Sequence, residues 1–328
     1  MNRFLLALAA TAAVAATRPH YGGTLRVEVR ESIESADPPQ SGYSLAELNR
    51  AFTISQWIAG GRALYAADEN ARSGRPFLDA VDVQMGRALR DQVYDLDLGK
   101  TDIVQLDGAE ARKPGRRILS SSPVRIVVLS FGSRVADPRV REALALAVDR
   151  TGIHNVLLQS LGEISGALMP QWISGYAFLF PAAQDLVRAR SLVASLPAAS
   201  RTLTLSSDPA NRRIADRIVL NTRDAGLTVT LVPANADVRL LEVRVTSAEP
   251  GHALAGVAAA LGLPDPPRAD SSDSLFAAER SLLEGFRVVP LFHLPDVYGL
   301  SPRVRGGPGI SPLGEWRFEN LWLEPGRP

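Results

Sequence analysis

The sequence predicts an α/β protein, and three stretches carry that prediction. Leu203 and Leu205 mark a strand, Ile214, Ile218 and Val219 one face of a helix closed by Ala225-Gly226, and Leu227, Val229 and Leu231 a second strand. Strand, helix and strand within about thirty residues make a βαβ crossover, whose two strands should run parallel. Arg125 to Ser130 holds Ile126, Val127, Val128 and Leu129 in a row, as expected of a strand covered on both faces. Asp137-Pro138 offers an N-cap followed by proline at the first helical position, and Val140, Leu144 and Val148 then share one face. Strands alternating with helices imply a sheet with helices on both faces.

The remaining elements follow in order. Asn2-Arg3 is a short basic start, and Phe4 to Ala16 is an apolar, alanine-rich stretch ended by Thr17-Arg18-Pro19-His20. A bilayer span needs about 20 apolar residues, so residues 1–16 read as a secretory signal cleaved near Ala16. Thr24 to Arg30 alternates, with Leu25, Val27 and Val29 on one side and Arg26 and Glu28 on the other, as in a half-buried strand. Asp37-Pro38-Pro39-Gln40-Ser41-Gly42 is a loop. Phe52 to Ala67 is extended around a Gly60-Gly61 turn; Val81, Val83 and Met85 mark a strand, Leu89, Val93 and Leu96 a helix, and Asp102-Ile103-Val104 a short strand. Ala109 to Ser122, polar and basic, is expected to connect two lobes. Asp185 caps a helix bearing Leu186, Ala189, Val193 and Leu196. Val238 to Val245 is a strand, Asp273 to Phe286 a helix, and Val288 to Phe292 a strand.

Composition narrows the function. The chain has 328 residues, enough for about two domains, with 46% hydrophobic and 22% charged residues, which excludes wholesale disorder. All but two of the 36 basic residues, Lys100 and Lys113, are arginine, and 35 acidic residues balance them. A net charge of +1 makes no case for nucleic-acid binding. The absence of cysteine excludes disulfides, thiolate metal sites, cysteine nucleophiles and a lipid-modified N-terminal cysteine. No nucleophile elbow, H-E-x-x-H, P-loop or G-x-G-x-x-G motif is present. Four scattered histidines lack ligand spacing, so neither metal nor cofactor is expected. His293 with Asp296 could suggest a catalytic pair, but His293-Leu294-Pro295-Asp296 also reads as the loop after a buried strand, and no nucleophile accompanies it. Aromatic residues are 6% of the chain, and residues 171–180 concentrate Trp172, Tyr176, Phe178 and Phe180. Such a loop either lines a ligand cleft or plugs a core. Trp316 and Trp322 read as packing residues.

Several segments, in order, resemble the family-5 extracellular solute-binding proteins, the peptide- and nickel-binding subunits of ABC importers. Tyr21-Gly22-Gly23-Thr24-Leu25-Arg26-Val27 is similar to the family's opening strand, and Gly74-Arg75-Pro76-Phe77-Leu78-Asp79-Ala80-Val81 to a segment of its first lobe. Residues 137–150, from Asp137-Pro138 to Val148-Asp149-Arg150, resemble the hallmark helix ending in Ala-x-Asp-Arg. Val289-Pro290-Leu291-Phe292 and Ser301-Pro302-Arg303-Val304 resemble the return to the first lobe. Two departures stand out. Family members are commonly longer and carry an extra subdomain after the opening strand; here Asp37-Pro38-Pro39 is followed closely by Phe52-Thr53-Ile54, so that subdomain is expected to be missing. Peptide binders of the family also carry a Trp and then an Asp-x-x-Asp-Pro pattern, of which Val243 to Pro250 retains only Glu249-Pro250.

The resemblance implies a two-lobed, periplasmic-binding-protein-like (type II) α/β fold with a discontinuous first lobe. Residues 18–118 and 290–328 would form that lobe, reduced in size, and residues 119–289 the second. The function implied is an exported solute-binding subunit of a peptide-type ABC importer, intact or degenerate, holding a peptide or other small solute between its lobes. Gln171, Trp172, Tyr176 and Glu249 are the expected ligand contacts, with Glu249 anchoring a cationic group; no catalytic residue, metal or cofactor is expected. Such a protein would be a periplasmic monomer without a lipid anchor, docking on ABC permease subunits and not on nucleic acid. The alternative is a periplasmic interaction or structural module that keeps the fold without ligand capture.

Overall fold

The computed structural model describes residues 18–30, 51–58, 61–176, 178–307 and 309–324. The expected signal, the loop at 37–42 and the shortened passage leading to residue 51 lie outside the described residues. In chain order the strands are β1 (Thr24–Glu28), β2 (Phe52–Ile58), β3 (Arg62–Ala67), β4 (Ala80–Gln84), β5 (Ile103–Gln105) and β6 (Arg117–Phe131). They continue with β7 (Glu163–Ile164), β8 (Thr202–Ser207), β9 (Thr228–Leu231), β10 (Val238–Arg244), β11 (Val288–Leu300), β12 (Val304–Gly306) and β13 (Leu321–Leu323). One sheet holds eleven of them in the order β2-β3-β4-β1-β5-β11-β6-β10-β8-β9, with β7 beside β11; β12 and β13 pair separately.

The first lobe is built around β1, which pairs in parallel with β4 and β5. Leu25 and Val27 enter a core with Tyr65, Val81 and Val83 of the neighbouring strands and Trp316 and Phe318 of the C-terminal segment. The opposite side of β1 is not the solvent face its alternation suggests. Arg26 pairs at 3.0 Å with Asp102, whose side chain is fully buried, and Glu28 is buried beside Arg87. Arg26 stays partly exposed while its partner Asp102 and Glu28 are buried, so this side of the strand is paired as well as partly solvated. The helix Leu89–Asp97 covers this lobe's second face with Val93 and Leu96. Gly299 permits the approach, because a β-carbon there would stand 2.9 Å from a Leu96 methyl.

The second lobe has helices on both faces of its sheet. Val127 and Leu129 enter the core beneath the helices Pro138–Ala147, Leu186–Ala194 and Arg212–Asp224. Ile126 and Val128 face the helices Pro250–Leu261 and Ser272–Leu283. The βαβ crossover is present as expected, β8 and β9 pairing in parallel from Thr202↔Thr228 to Leu205↔Leu231. The Asp137 carboxylate accepts from the Arg139 amide and that of Asp185 from the Arg188 amide, so both caps are made. Val148 lies just beyond its helix in extended conformation but stays buried.

Two long antiparallel strands join the lobes. β6 has 15 residues and β11 has 13, and they pair from Val288↔Ser130 to Leu300↔Arg117. Register shifts fall at Pro290/Phe292, Leu294/Pro295 and Pro295/Val297, and Pro123 stands opposite Pro295. Two sequence expectations are corrected here. The basic connection forms a short turn of helix at Gly108–Ala111 and is already strand from Arg117. The segment from His293 to Asp296 is no loop, since β11 runs through it to Leu300. Prolines normally end a strand, but at bulges the missing amide is tolerated and the strand continues.

Ile126→Ala and Leu129→Ala should each lower the unfolding free energy by about 3 kcal/mol. Their effects should add to within about 0.5 kcal/mol, because the two side chains enter opposite cores. Urea unfolding followed by circular dichroism measures both; strong non-additivity would mean that the two faces form one packing unit.

Candidate functional site

Where the ribbon crosses between lobes, β1 and β5 end side by side, and ligands of open α/β sheets bind beyond such carboxyl ends. A crevice of about 230 Å³ lies there, lined by Arg30, Gln105, Arg125, Glu242, Arg244 and Asp296 among others. Its charges are largely paired with one another. Arg125 meets Glu242 at 3.1 Å and Asp296 at 3.1 Å, and donates to the Pro295 carbonyl at 2.9 Å. Arg244 meets Asp296 at 2.5 Å and donates to the Leu313 carbonyl at 2.9 Å, linking the end of β10 to the C-terminal segment. The Asp296 amide donates to the Ser121 hydroxyl across the bulged ladder. Burial opposes the charge on Arg125, but the Glu242 and Asp296 carboxylates outweigh it and hold its pKa above the ordinary arginine value.

The expected ligand contacts lie on the second lobe next to this crossing. Gln171 and Trp172 open a four-residue helical turn after Pro170, and both are exposed. The Trp172 Nε1 donates to the Pro123 carbonyl at 2.8 Å, which ties the ring to the ribbon. Glu249 caps the helix Pro250–Leu261, accepting from the Gly251 amide at 3.1 Å and the His252 amide at 2.6 Å. These bonds, the His252 amide foremost, hold its pKa below the usual glutamate value. Trp172 and Glu249 line one hollow of about 500 Å³ together with Asp270, Ser271 and Ser272. Gln171 and Tyr176 do not line it. Tyr176 is half-buried, its ring edge-on to Phe276 at 5.3 Å and its hydroxyl donating to Glu279 at 2.5 Å.

Glu279 is the residue that sequence reasoning missed. It is fully buried and accepts from the Leu168 and Met169 amides as well as from Tyr176. A signal for it existed: Leu275, Glu279 and Leu282 fall at helical spacing on one stripe, so an acid occupies an apolar face. His293 is also buried, its Nε2 within 2.9 Å of the Ala167 carbonyl, while Asp296 is engaged by Arg125 and Arg244. The two do not form a catalytic pair. Trp316 and Trp322 are both buried, as packing residues should be. Among the described residues no group of three His, Asp or Glu side chains is arranged to hold a metal, and no helix is long and apolar enough to cross a membrane.

Glu279 and His293 give stability opposite pH dependences. Burial pushes Glu279 up to about 7 from 4.5, so its contribution is complete below about pH 4.5 and is lost as pH rises through about 7. Burial pushes His293 down to about 4 from 6.5, so its contribution is present above about pH 6.5 and is lost as pH falls through about 4. Glu279→Gln should therefore remove the Glu279 contribution and leave that of His293 in place. The stability difference, wild type minus variant, should shrink by about 3 kcal/mol between pH 4.5 and 7. Urea midpoints across that range test the point, and a constant difference would refute the buried-acid assignment.

A family model for bacterial extracellular solute-binding proteins, family 5, middle region, matches residues 47–270. No curated protein matches the sequence. Among solved structures, the ABC transporter substrate-binding protein CtaP of Listeria monocytogenes superposes with a TM-score of 0.69 at 14% identity, over 83% of this chain and 66% of that one. The periplasmic binding protein DppA of Helicobacter pylori, in complex with the peptide STSA, gives 0.70 at 15% identity, over 84% and 63%. The oligopeptide-binding protein AppA of Bacillus subtilis, in complex with a nonapeptide, gives 0.64 at 15% identity, over 84% and 66%. The chain thus spans a little under two thirds of the length of these three proteins, and at such identities the likeness concerns the fold, a two-lobed type II binding-protein architecture. The family match covers more than half of the sequence, and the chain belongs to the family 5 bacterial extracellular solute-binding proteins.

Proposed function

We propose that this protein is an exported solute-binding subunit of a peptide-type ABC importer, which holds a peptide or other small solute between its lobes and carries out no covalent chemistry. The observation that carries this reading is two α/β lobes hung on one antiparallel ribbon, with a crevice beyond the ends of β1 and β5. Closure about such a hinge is a known way to trap a ligand. We place the exchange between lobes at Pro123 and Pro295, where the ladder is irregular, further along each strand than the sequence places it. Trp172 would offer its exposed ring for stacking, Gln171 a polar contact and Tyr176 its ring edge, while Glu249 faces the hollow that Trp172 lines. The same reading makes the chain a periplasmic monomer, delivered by the 1–16 signal, that docks on permease subunits.

One observation favours a second reading, a periplasmic interaction or structural module that has lost ligand capture. The Tyr176 hydroxyl, the Glu249 carboxylate and the crevice carboxylates already have partners inside the protein. A ligand would have to replace those bonds as well as form its own.

Isothermal titration against a peptide library separates the readings. A capturing protein should bind a subset of peptides, and Trp172→Ala should weaken that binding by about tenfold or more, the scale of an aromatic anchor lost from an interface. A folded protein that binds no peptide would leave the second reading. Recovery of permease subunits with the tagged full chain distinguishes an importer subunit from a retained scaffold.

A further inference from the structure

The end of the second lobe remote from the crossing holds a second candidate site, independent of the transport reading. β6 ends there at Phe131 and β11 begins at Val288. One row of the sheet, Arg239 of β10 against Ser130 of β6 against Val288 of β11, floors a pocket of about 570 Å³. Leu261 and Leu263, at the end of the helix Pro250–Leu261, form one wall, and the loop after Phe131 forms another. Arg141 and Arg287 complete the lining, which contains no carboxylate.

The three guanidinium groups are not equivalent. Arg141 is fixed by backbone carbonyls, donating to Gly285 at 2.7 Å, Val135 at 2.6 Å and Ala136 at 3.0 Å. Arg239 and Arg287 have no ion pair or side-chain hydrogen bond among the described residues. Both are exposed, and what sets them apart from other exposed arginines is that they line one pocket with Arg141. Burial and then the neighbouring Arg287 charge hold the Arg141 pKa below the ordinary value, only partly offset by Asp137. The neighbouring carboxylates are engaged elsewhere: Asp137 with Arg139 and its helix cap, Asp237 with Arg134 and Thr204. The carbonyl end of the adjacent helix is also partly satisfied, its Ala259 and Ala258 carbonyls accepting from the Gly262 and Leu263 amides. The pocket thus gathers three cationic side chains with no carboxylate in its lining, and guanidinium groups pair with carboxylate or phosphate oxygens through charge-assisted, often bidentate bonds.

We infer that this pocket binds a small organic anion, its carboxylate or phosphate taken by Arg239 and Arg287 beside the fixed Arg141 and its apolar part lying against Leu261, Leu263 and Phe131. The pocket's size and apolar wall favour a dissolved ligand over an extended polymer.

The test is calorimetric titration of the full chain with inorganic phosphate and with hexanoate, for the wild type, Arg239→Ala/Arg287→Ala and Arg213→Ala/Arg217→Ala. The last pair is exposed on another helix and removes the same charge. Saturable binding of either probe, weakened about tenfold or more in the pocket variant and unchanged in the control, supports the site and identifies its head group. A ligand-induced rise in melting temperature should be lost in parallel. Binding of neither probe, or equal loss in both variants, overturns it. So would cosedimentation with phosphatidylglycerol vesicles, abolished in the pocket variant, when neither soluble probe binds.

Discussion

The pairing of β6 with β11 is the interaction on which the rest of the molecule depends. Both strands are covered on both faces through the second lobe, so their amides and carbonyls have no water to turn to and must pair with each other. That requirement carries the ladder through three register shifts and past Pro290 and Pro295, and on into the first lobe. Strands β5 and β10 are then added to its two sides, and everything beyond them in the sheet is positioned by that addition.

The irregular part of the ladder is also its most polar. Asp296 is held by Arg125, Arg244 and the Ser121 hydroxyl at the level where Pro123 faces Pro295. A bulged, proline-bearing stretch gives up backbone bonds, and side chains supply replacements. Arg244 extends the arrangement to the Leu313 carbonyl, so the C-terminal segment of the first lobe is fastened to a strand of the second. A change in the angle between lobes would have to rearrange these contacts.

Much of the fold was legible because local chemistry announced it. The βαβ crossover, the doubly covered run at Ile126 to Leu129 and the aspartate caps at 137 and 185 all follow from spacing and capping over a few residues. The legibility stopped where a rule had been overridden. Proline truncates the expected β11 at Phe292, although a bulge permits it, and alternation in β1 does not show that Glu28 on its polar side is buried. Among the site residues, Trp172 and Glu249 come together in one hollow, whereas Tyr176 turns its hydroxyl inward to Glu279. That partner was visible only as an acid misplaced on an apolar helix stripe.

The sequence by itself determined most of the secondary structure, the α/β class and the family, because hydrophobic period, turn residues and the 137–150 segment are local properties of the chain. The tertiary structure alone decided which charges meet: Arg125 with Asp296, Arg26 with Asp102, and Arg239 and Arg287, without a partner among the described residues, in one pocket with Arg141. Nothing in the spacing of arginines distinguishes one that neutralises a buried carboxylate from one that faces an open pocket. The distinction arises only when distant strands and helices are packed, since the free energy of a charge is set by what surrounds it.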